Sequence, residues 1–257
     1  ACHMTIDLEQ TAKEKGIIND DYWRSDKVSP VYTGDHWVIT LRFYRWRHGS
    51  GLPVDPGPAV MPFAATFGVL QPYSEAERAA GLLGRGSDFP LVRRPTGGGL
   101  VLHDGDLTFS LVFPWAKLCA ASWIYKELHR AVHLGLKGRG LESRLWSPPR
   151  QEALPAAARR KAACFPDPAP IDLVDGAGRK VLGGALRRHR SAGLYQGSLR
   201  PEGFACARED LVEAVTEGMS LQWRAPFARD EAPAEVLAQA ARLREERFAT
   251  AAWNKRR

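Results

Sequence analysis

Two clusters of residues have types and spacing that could do chemistry. The first, Arg93 to Ser110, reads RRPTGGGLVLHDGDLTFS. Three consecutive glycines, Gly97 to Gly99, lack a Cβ, so the backbone can turn sharply there and a ligand can approach its N–H groups closely. Arg93 and Arg94 bring charge and fork-shaped donors suited to carboxylate or phosphate. A floor for a small anionic or polar ligand is one reading, and a glycine hairpin with solvated arginines is the other. The second cluster surrounds Lys180, which sits in an apolar strand just before Gly183, Gly184 and Ala185. A lysine beside such small residues can reach a ligand lying flat on a sheet; otherwise it is a solvated strand-edge lysine. Cys164, sixteen residues earlier, is either a thiol nucleophile or a small buried hydrophobe. His103-Asp104 resembles a catalytic pair, but adjacent strand residues point to opposite faces and cannot orient each other. Asp104 or Asp106 is therefore expected to stabilise the turn, with His103 at the pocket rim.

The elements that must hold these residues follow from pattern. Residues 37–46 are rich in β-branched and aromatic side chains and predict a strand. Residues 49–62 are dense in proline and glycine and predict a loop. A strand over 65–70 and a short helix near 74–83, capped by Ser74, come next. Residues 100–102 and 107–113 give two more strands. Ile124, Leu128, Ala131, Val132 and Gly135 recur on one helical face of residues 122–137, which predicts a helix packed on a sheet. After a Pro/Ala/Arg-rich connector over 148–163, residues 171–174, 180–186 and 194–199 read as strands. Helices are expected over 208–216 and 233–250. Strands clustered around helices without regular βαβ alternation indicate an α+β fold. The division is an N-terminal arm over 1–30 and a single domain over 31–257.

The stretch Arg93 to Ser110 resembles the biotin/lipoate ligase and lipoyl-transferase family, marked by R-R-x-T-G-G-G/R and then V-x-H-D-x-x-L-T-F/Y-S. Other segments agree in the same order. Leu41 to Trp46 (LRFYRW) and Thr66 to Gln71 (TFGVLQ) look like the family's first strand pair. Gly178 to Leu199 is similar to G-R/K-K-V/I-x-G-x-A-x-R followed by H/Q-G-S, and Glu245 to Arg257 is similar to the ending E-K-Y-x-x-x-x-W-N-x-R. The resemblance spans about four fifths of the chain. It implies a mixed, largely antiparallel central sheet flanked by helices. One departure is the family's G-x-x-N-M-A-x-D-E helix, whose place holds Tyr32 to Trp37 (YTGDHW), so that pocket wall must come from elsewhere.

What the resemblance implies for function is an acyltransferase of lipoate metabolism. One octanoyltransferase branch places a nucleophilic cysteine in an A/S-C-F segment ahead of D/E-L-V and G-R/K-K-V, which matches Cys164-Phe165, Asp172 to Val174 and Gly178 to Val181. Cys164 and Lys180 would then be catalytic, Lys180 holding the acyl carbonyl. Cationic neighbours would favour the thiolate of Cys164. Arg93, Arg94, Thr96, Gly97, Gly98, Gly99, His103, Gly183, Gly184, Ala185, Gln196 and Gly197 would bind the substrate. An octanoyl or lipoyl group would pass from an acyl carrier protein or an acylated lipoyl carrier to a lysine of a lipoyl domain protein, with no cofactor. The same residues also fit an ATP-dependent lipoate–protein ligase, which would need ATP and Mg2+, or a non-catalytic relative that binds carrier or lipoyl domains. The few residues after Trp253-Asn254 hold no accessory adenylation domain, which favours the transferase.

Composition is consistent with this. The chain has 257 residues, 44% hydrophobic and 25% charged, ordinary for a soluble globular protein. No apolar run approaches the ~18 residues of a membrane helix, and no basic-then-apolar leader is expected. At the start, Ala1-Cys2-His3 is read as a tag scar before an encoded initiator, Met4. Cys2, Cys119, Cys164 and Cys206 lack C-x-x-C spacing, which argues against a zinc site or disulfide scaffold and for a reduced, cytoplasmic protein; Cys2, Cys119 and Cys206 are read as structural. The net charge of +7 is read first as an arginine-rich soluble surface. The other reading is an acidic partner, and an acidic carrier protein suits the charge better than nucleic acid, because the arginines are dispersed and no helix-turn-helix is evident.

Overall fold

Alternation along the strands builds the principal sheet. In the computed structural model, which describes residues 2–7, 32–33, 36–44, 64–82, 90–115, 120–148, 167–224 and 226–256, Leu107, Phe109, Leu111 and Phe113 point into the core while the residues between them face the other way. The same period sends Ile39, Leu41 and Phe43 inward from a neighbouring strand, with Tyr195 and Leu199 from another. The strands in chain order are β1 (Cys2–Asp7), β2 (Tyr32–Thr33), β3 (His36–Tyr44), β4 (Ala64–Phe67), β5 (Leu91–Arg93), β6 (Val101–His103), β7 (Leu107–Pro114), β8 (Arg144–Leu145), β9 (Leu173–Val174), β10 (Lys180–His189), β11 (Ala192–Leu199) and β12 (Ala228–Asp230). The large sheet runs β12-β1-β3-β7-β11-β10-β9-β8, with β2 on β3, and its pairs are antiparallel. A small sheet, β5-β4-β6, holds a parallel β4–β5 pair. This is the expected mixed, largely antiparallel α+β architecture.

Several elements differ from expectation. The segments expected as a first strand pair fall in different sheets: Leu41 to Tyr44 belongs to β3 and Thr66-Phe67 to β4. Val101–His103 and Leu107–Pro114 are likewise not partners, because the His103-Asp104-Gly105-Asp106 turn carries the chain from the small sheet to the large one. Where the family has a helix, Tyr32 and Thr33 pair with Trp37 and His36 in a short hairpin. The first helix among the described residues, α1 (Tyr73–Leu82), begins with Ala76 N–H donating to Pro72 O, so Ser74 lies inside the first turn and is not the cap.

Helices α2 (Ala121–Gly138) and α3 (Arg208–Trp223) cover the core face of the large sheet. The expected face of α2, Ile124, Leu128, Ala131, Val132 and Gly135, is buried. The two helices cross closely: a Cβ on Gly135 would lie 1.9 Å from Ala214 O, and one on Gly218 would lie 2.0 Å from Ala131 O. Only glycine permits that separation. Alanines 76, 79 and 80 pack α1 against Ala65, Phe67 and Leu100 of the small sheet. The expected C-terminal helix is α4 (Ala234–Leu243), continued by a wider π turn over Arg244–Phe248 and then a short α5 (Ala251–Asn254). No helix among the described residues is long and apolar enough to cross a membrane.

The C-terminal turn is fastened to the small sheet by Arg93. Its guanidinium donates to Val69 O and Gln71 O on one side and to Trp253 O, Asn254 O and Arg256 O on the other. Asn254 Oδ1 accepts from the Arg93 N–H, and Trp253 Nε1–H donates to Arg93 O. Burial, and then the charge of Arg256, lowers the basicity of Arg93. We predict that Arg93→Lys lowers unfolding free energy by roughly 2–4 kcal/mol, because an ammonium cannot span carbonyls on both sides and each orphaned buried acceptor costs about 1–3 kcal/mol. Urea denaturation checks this, and a loss under about 0.5 kcal/mol would contradict it.

Candidate active site

The triple glycine gains its shape from the arginine beside the buried one. After β5 the chain turns at Pro95 and doubles back through Gly98, whose φ of +90° suits glycine alone. Arg94 braces the turn by donating from Nε and Nη2 to Gly97 O, and from Nη1 to Thr66 O. Burial lowers the Arg94 pKa to about 10, so it stays charged at neutral pH. Gly68 permits the close approach of β4 to the turn, since a Cβ there would lie 2.0 Å from Gly98 O.

Between this turn and the large sheet lies a cavity of about 580 Å³. The small sheet contributes Thr66 and His103, the turn after β5 contributes Arg94, Gly98 and Gly99, and the large sheet contributes Tyr44, Thr108, Gln196 and Ser198. Gly183, Gly184, Ala185 and Gly197 form a stretch of wall almost free of side chains, at whose end Lys180 stands. A β-bulge between Lys180 and Leu182 breaks the alternation of β10, so Lys180 borders the cavity while Leu182 stays in the core.

Lys180 is held from below. Its Nζ lies 2.8 Å from Asp172 Oδ2, and Asp172 is fully buried. Asp172 also accepts from Tyr125 Oη–H at 2.6 Å and from Ala169 N–H at 2.7 Å. Tyr125 in turn accepts from Gly184 N–H at 3.1 Å, so one hydroxyl of α2 fixes both the carboxylate and the cavity wall. Burial, then Tyr195 and Asp172, raises the Tyr125 hydroxyl well above its ordinary range and keeps it a donor. Behind it, His129 Nδ1–H donates to Ile171 O at 2.9 Å, which leaves Nε2 to accept from Tyr195 Oη–H at 2.8 Å. Burial drives His129 down to about 4, outweighing Asp172 and the Ile171 carbonyl, which pull it up. The imidazole is therefore neutral at pH 7.

A second network closes the other side. His103 and Asp106 meet across the turn at 3.0 Å, while Asp104 reaches the other way, toward Arg200 at 3.6 Å. Asp106 also accepts from Ser198 Oγ–H at 2.6 Å and Thr108 Oγ1–H at 3.1 Å. Burial alone would raise the Asp106 carboxyl, but the bonds from His103, Ser198 and Thr108 and the His103 charge lower it instead. With Nδ1 turned to the carboxylate, His103 Nε2 faces Thr66 Oγ1 at 2.9 Å. A hydroxyl, an imidazole and a carboxylate thus stand in line, with Thr66 and His103 lining the cavity and Asp106 buried behind them.

Of the expected site residues, Arg94, Gly98, Gly99, His103, Lys180, Gly183, Gly184, Ala185, Gln196 and Gly197 line one cavity. Arg93, Thr96 and Gly97 do not line it: Arg93 is committed to the C-terminal turn, Thr96 Oγ1–H donates to Gln196 Oε1, and Gly97 O serves Arg94. For Arg93, this replaces the expected contact with substrate by a structural role. Cys164 and Cys119 lie outside the described residues, and of Cys2 only the backbone is described. Burial and Asp210 push the Cys206 thiol up, which suits its structural reading. Tyr125, Asp172, Thr66, Asp106 and Ser198 belong to the site without having been singled out for it. Asp106 had a local signal, because a tight turn brings residues three apart together.

Residues 62–217 match the family described as the lipoyl protein ligase A/B catalytic domain. Curated relatives include an octanoyltransferase LipM of Kyrpidia tusciae, 31% identical over 164 residues that cover 62% of this chain and 53% of the relative. A LipM of an Exiguobacterium species is 32% identical over 169 residues, with the same coverage. The chain spans about half the length of the curated relatives it matches. Among solved structures, a lipoate protein ligase of T. acidophilum with bound lipoic acid shares the fold at TM-score 0.58 and 21% identity, covering 75% of this chain and 81% of that one. A lipoate-protein ligase A bound with ATP shares it at TM-score 0.58 and 20% identity, with the same coverage.

The neutral histidine beneath Lys180 makes a pH test possible. His129 binds its proton near pH 4 when folded and near about 6.5 when unfolded. The unfolded chain takes up the extra proton in between, so this contribution is intact above about pH 6.5 and is lost as pH falls toward 4. We expect unfolding free energy to fall over that window, and His129→Gln to remove up to about 3 kcal/mol of the difference. Urea denaturation at pH 7 and pH 4.5 measures it; an equal pH dependence in both proteins would contradict the assignment.

Proposed function

The chain belongs to the lipoyl protein ligase A/B catalytic-domain family, and from that membership we propose that it transfers an octanoyl or lipoyl group from a carrier thioester, through Cys164, to the ε-amine of a lysine on a lipoyl domain. The observation that carries this reading is the convergence of the braced glycine turn and the Asp172-held Lys180 on one cavity with a wall of Gly183, Gly184 and Ala185. Such a wall leaves room for an extended acyl chain, and a cation at its end suits a carbonyl oxygen that gains negative charge. The LipM relatives are named octanoyltransferases, which supports the same chemistry. Asp167, three residues after Cys164 in sequence, also lines the cavity.

In this reaction the Cys164 thiol gives up its proton and attacks the thioester carbonyl as the thiolate, the bond to the carrier sulfur breaks, and the carrier leaves as a thiol carrying that proton. The acceptor amine then attacks the acyl-cysteine, a C–N bond forms, the bond to Cys164 breaks, and the amine sheds a proton. Lys180 donates a hydrogen bond to the carbonyl oxygen in both steps, with Asp172 and Tyr125 fixing its direction. Arg94 lines the cavity and also braces the glycine turn that borders it. The donor is an acyl carrier protein or an acylated lipoyl carrier, no cofactor takes part, and the setting is the cytoplasm.

Intact mass spectrometry tests the proposal. Incubated with octanoyl carrier thioester and no ATP, the wild type is expected to gain one octanoyl group, and Cys164→Ser to gain none. Lys180→Ala is expected to slow acylation roughly 100-fold or more. Lipoyl-domain modification that requires ATP and survives Cys164→Ser would replace this reading with an ATP-dependent ligase. Binding of lipoyl domain without modification under either condition would replace it with a non-catalytic relative.

A further inference from the structure

The hairpin joining β10 to β11 ends in Arg187-Arg188-His189-Arg190. Arg188, His189 and Arg190 are exposed, and among the described residues neither exposed arginine pairs with a carboxylate. Arg190 holds a left-handed backbone, φ 54°, where glycine or asparagine would sit with less strain. The tip is nonetheless fixed. Trp115, buried in the core, donates its backbone N–H to Ser191 O at 2.7 Å. The Arg188 guanidinium lies 5.8 Å from the Trp115 ring centre, and its Nε–H donates to Arg190 O at 3.0 Å. Arg187 turns inward and donates to Pro95 O at 2.8 Å, which ties the hairpin to the glycine turn. With a rise of about 3.3 Å per residue, the exposed arginines stand roughly 10–17 Å along the strand from Ala185 in the cavity wall.

A rigid tip that presents cations beside a catalytic cavity attracts a negative surface. The acceptor of the proposed reaction is the partner that must come closest. Its lysine has only a four-carbon stem, so its domain has to press against the rim of the cavity. Nucleic acid would call for stacking aromatics among the exposed arginines, and the aromatic here is buried beneath them. We propose that Arg188 and Arg190 dock the acidic face of the lipoyl domain that offers the acceptor lysine. This rests on the proposed transferase reading.

The test loads the enzyme from octanoyl-coenzyme A, then measures single-turnover transfer against the concentration of an E2 lipoyl domain of net negative charge. The double variant R188E/R190E is compared with K126E/R130E, which makes the same charge change at exposed positions of α2. The tip variant is expected to load normally and to keep its maximal rate. Its half-saturating acceptor concentration should rise about tenfold, with a weaker salt dependence. R188Q/R190Q should fall between it and the wild type. Half-saturation within twofold of wild type, or an equal rise in K126E/R130E, would overturn the docking assignment. If even the wild type fails to load or transfer, the transferase reading falls by itself. Calorimetric titration with the same lipoyl domain then decides the docking: weaker binding by the tip variant alone upholds it, and equal binding by both overturns it.

Discussion

A buried guanidinium whose bonds all run to carbonyls is the constraint on which the cavity depends. Arg93 gathers the ends of two chain segments, residues 69–71 and 253–256, around one side chain. Burying a cation is costly unless every donor is satisfied. Here the carbonyls share the charge, and the Phe67 ring lies 4.5 Å away as a further partner. Once Arg93 is fixed, β5 is fixed, and Arg94 is pointed the other way to brace the glycines. Two adjacent arginines thus divide the work: one anchors the turn from behind and the other shapes its cavity side. The same constraint explains the Trp253-Asn254 pair, whose indole N–H and amide oxygen clasp the backbone of Arg93 itself.

Burial is used in opposite senses on the two sides of the cavity. Under Lys180, the fully buried Asp172 is held by a lysine, a tyrosine hydroxyl and an amide. Directly behind that carboxylate, His129 is forced neutral, so no second cation competes for it. Across the cavity, Asp106 collects bonds from an imidazole and two hydroxyls, and these outweigh the cost of its burial. Glycines are what let these networks reach the ligand space. A Cβ at Gly184 would lie 2.3 Å from Tyr195 Oη, and one at Gly197 would lie 2.6 Å from Phe109. The side-chain-free wall is therefore a packing requirement of the core as much as room for the proposed acyl chain.

Local patterns made much of this legible. The period of α2, the alternation of β7, and the concurrence of Lys180 with the small residues after it are short-range signals that the fold obeys. Pairing of the two basic residues with the ligand was misleading for Arg93, because sequence shows a charge but not the carbonyls that a distant C-terminal turn will bring to it. Asp172 and Tyr125 escaped for the same reason: they lie 47 residues apart and meet only when α2 packs on the sheet. The bulge at Lys180 and the passage of the HDGD turn between two sheets are likewise decided by long-range pairing, which adjacent residues do not report.

In the proposed reaction an acyl carbonyl rests at Lys180 with its chain along the glycine wall. A crystal structure of the protein after reaction with an octanoyl thioester examines that directly. The expected result is continuous density from Cys164 Sγ, the carbonyl oxygen within hydrogen-bonding distance of Lys180 Nζ, and the alkyl chain between Gly98–Gly99 and Gly183–Ala185. An octanoyl group attached elsewhere, or bound outside this cavity with the Lys180–Asp172 pair undisturbed and remote from it, would contradict it.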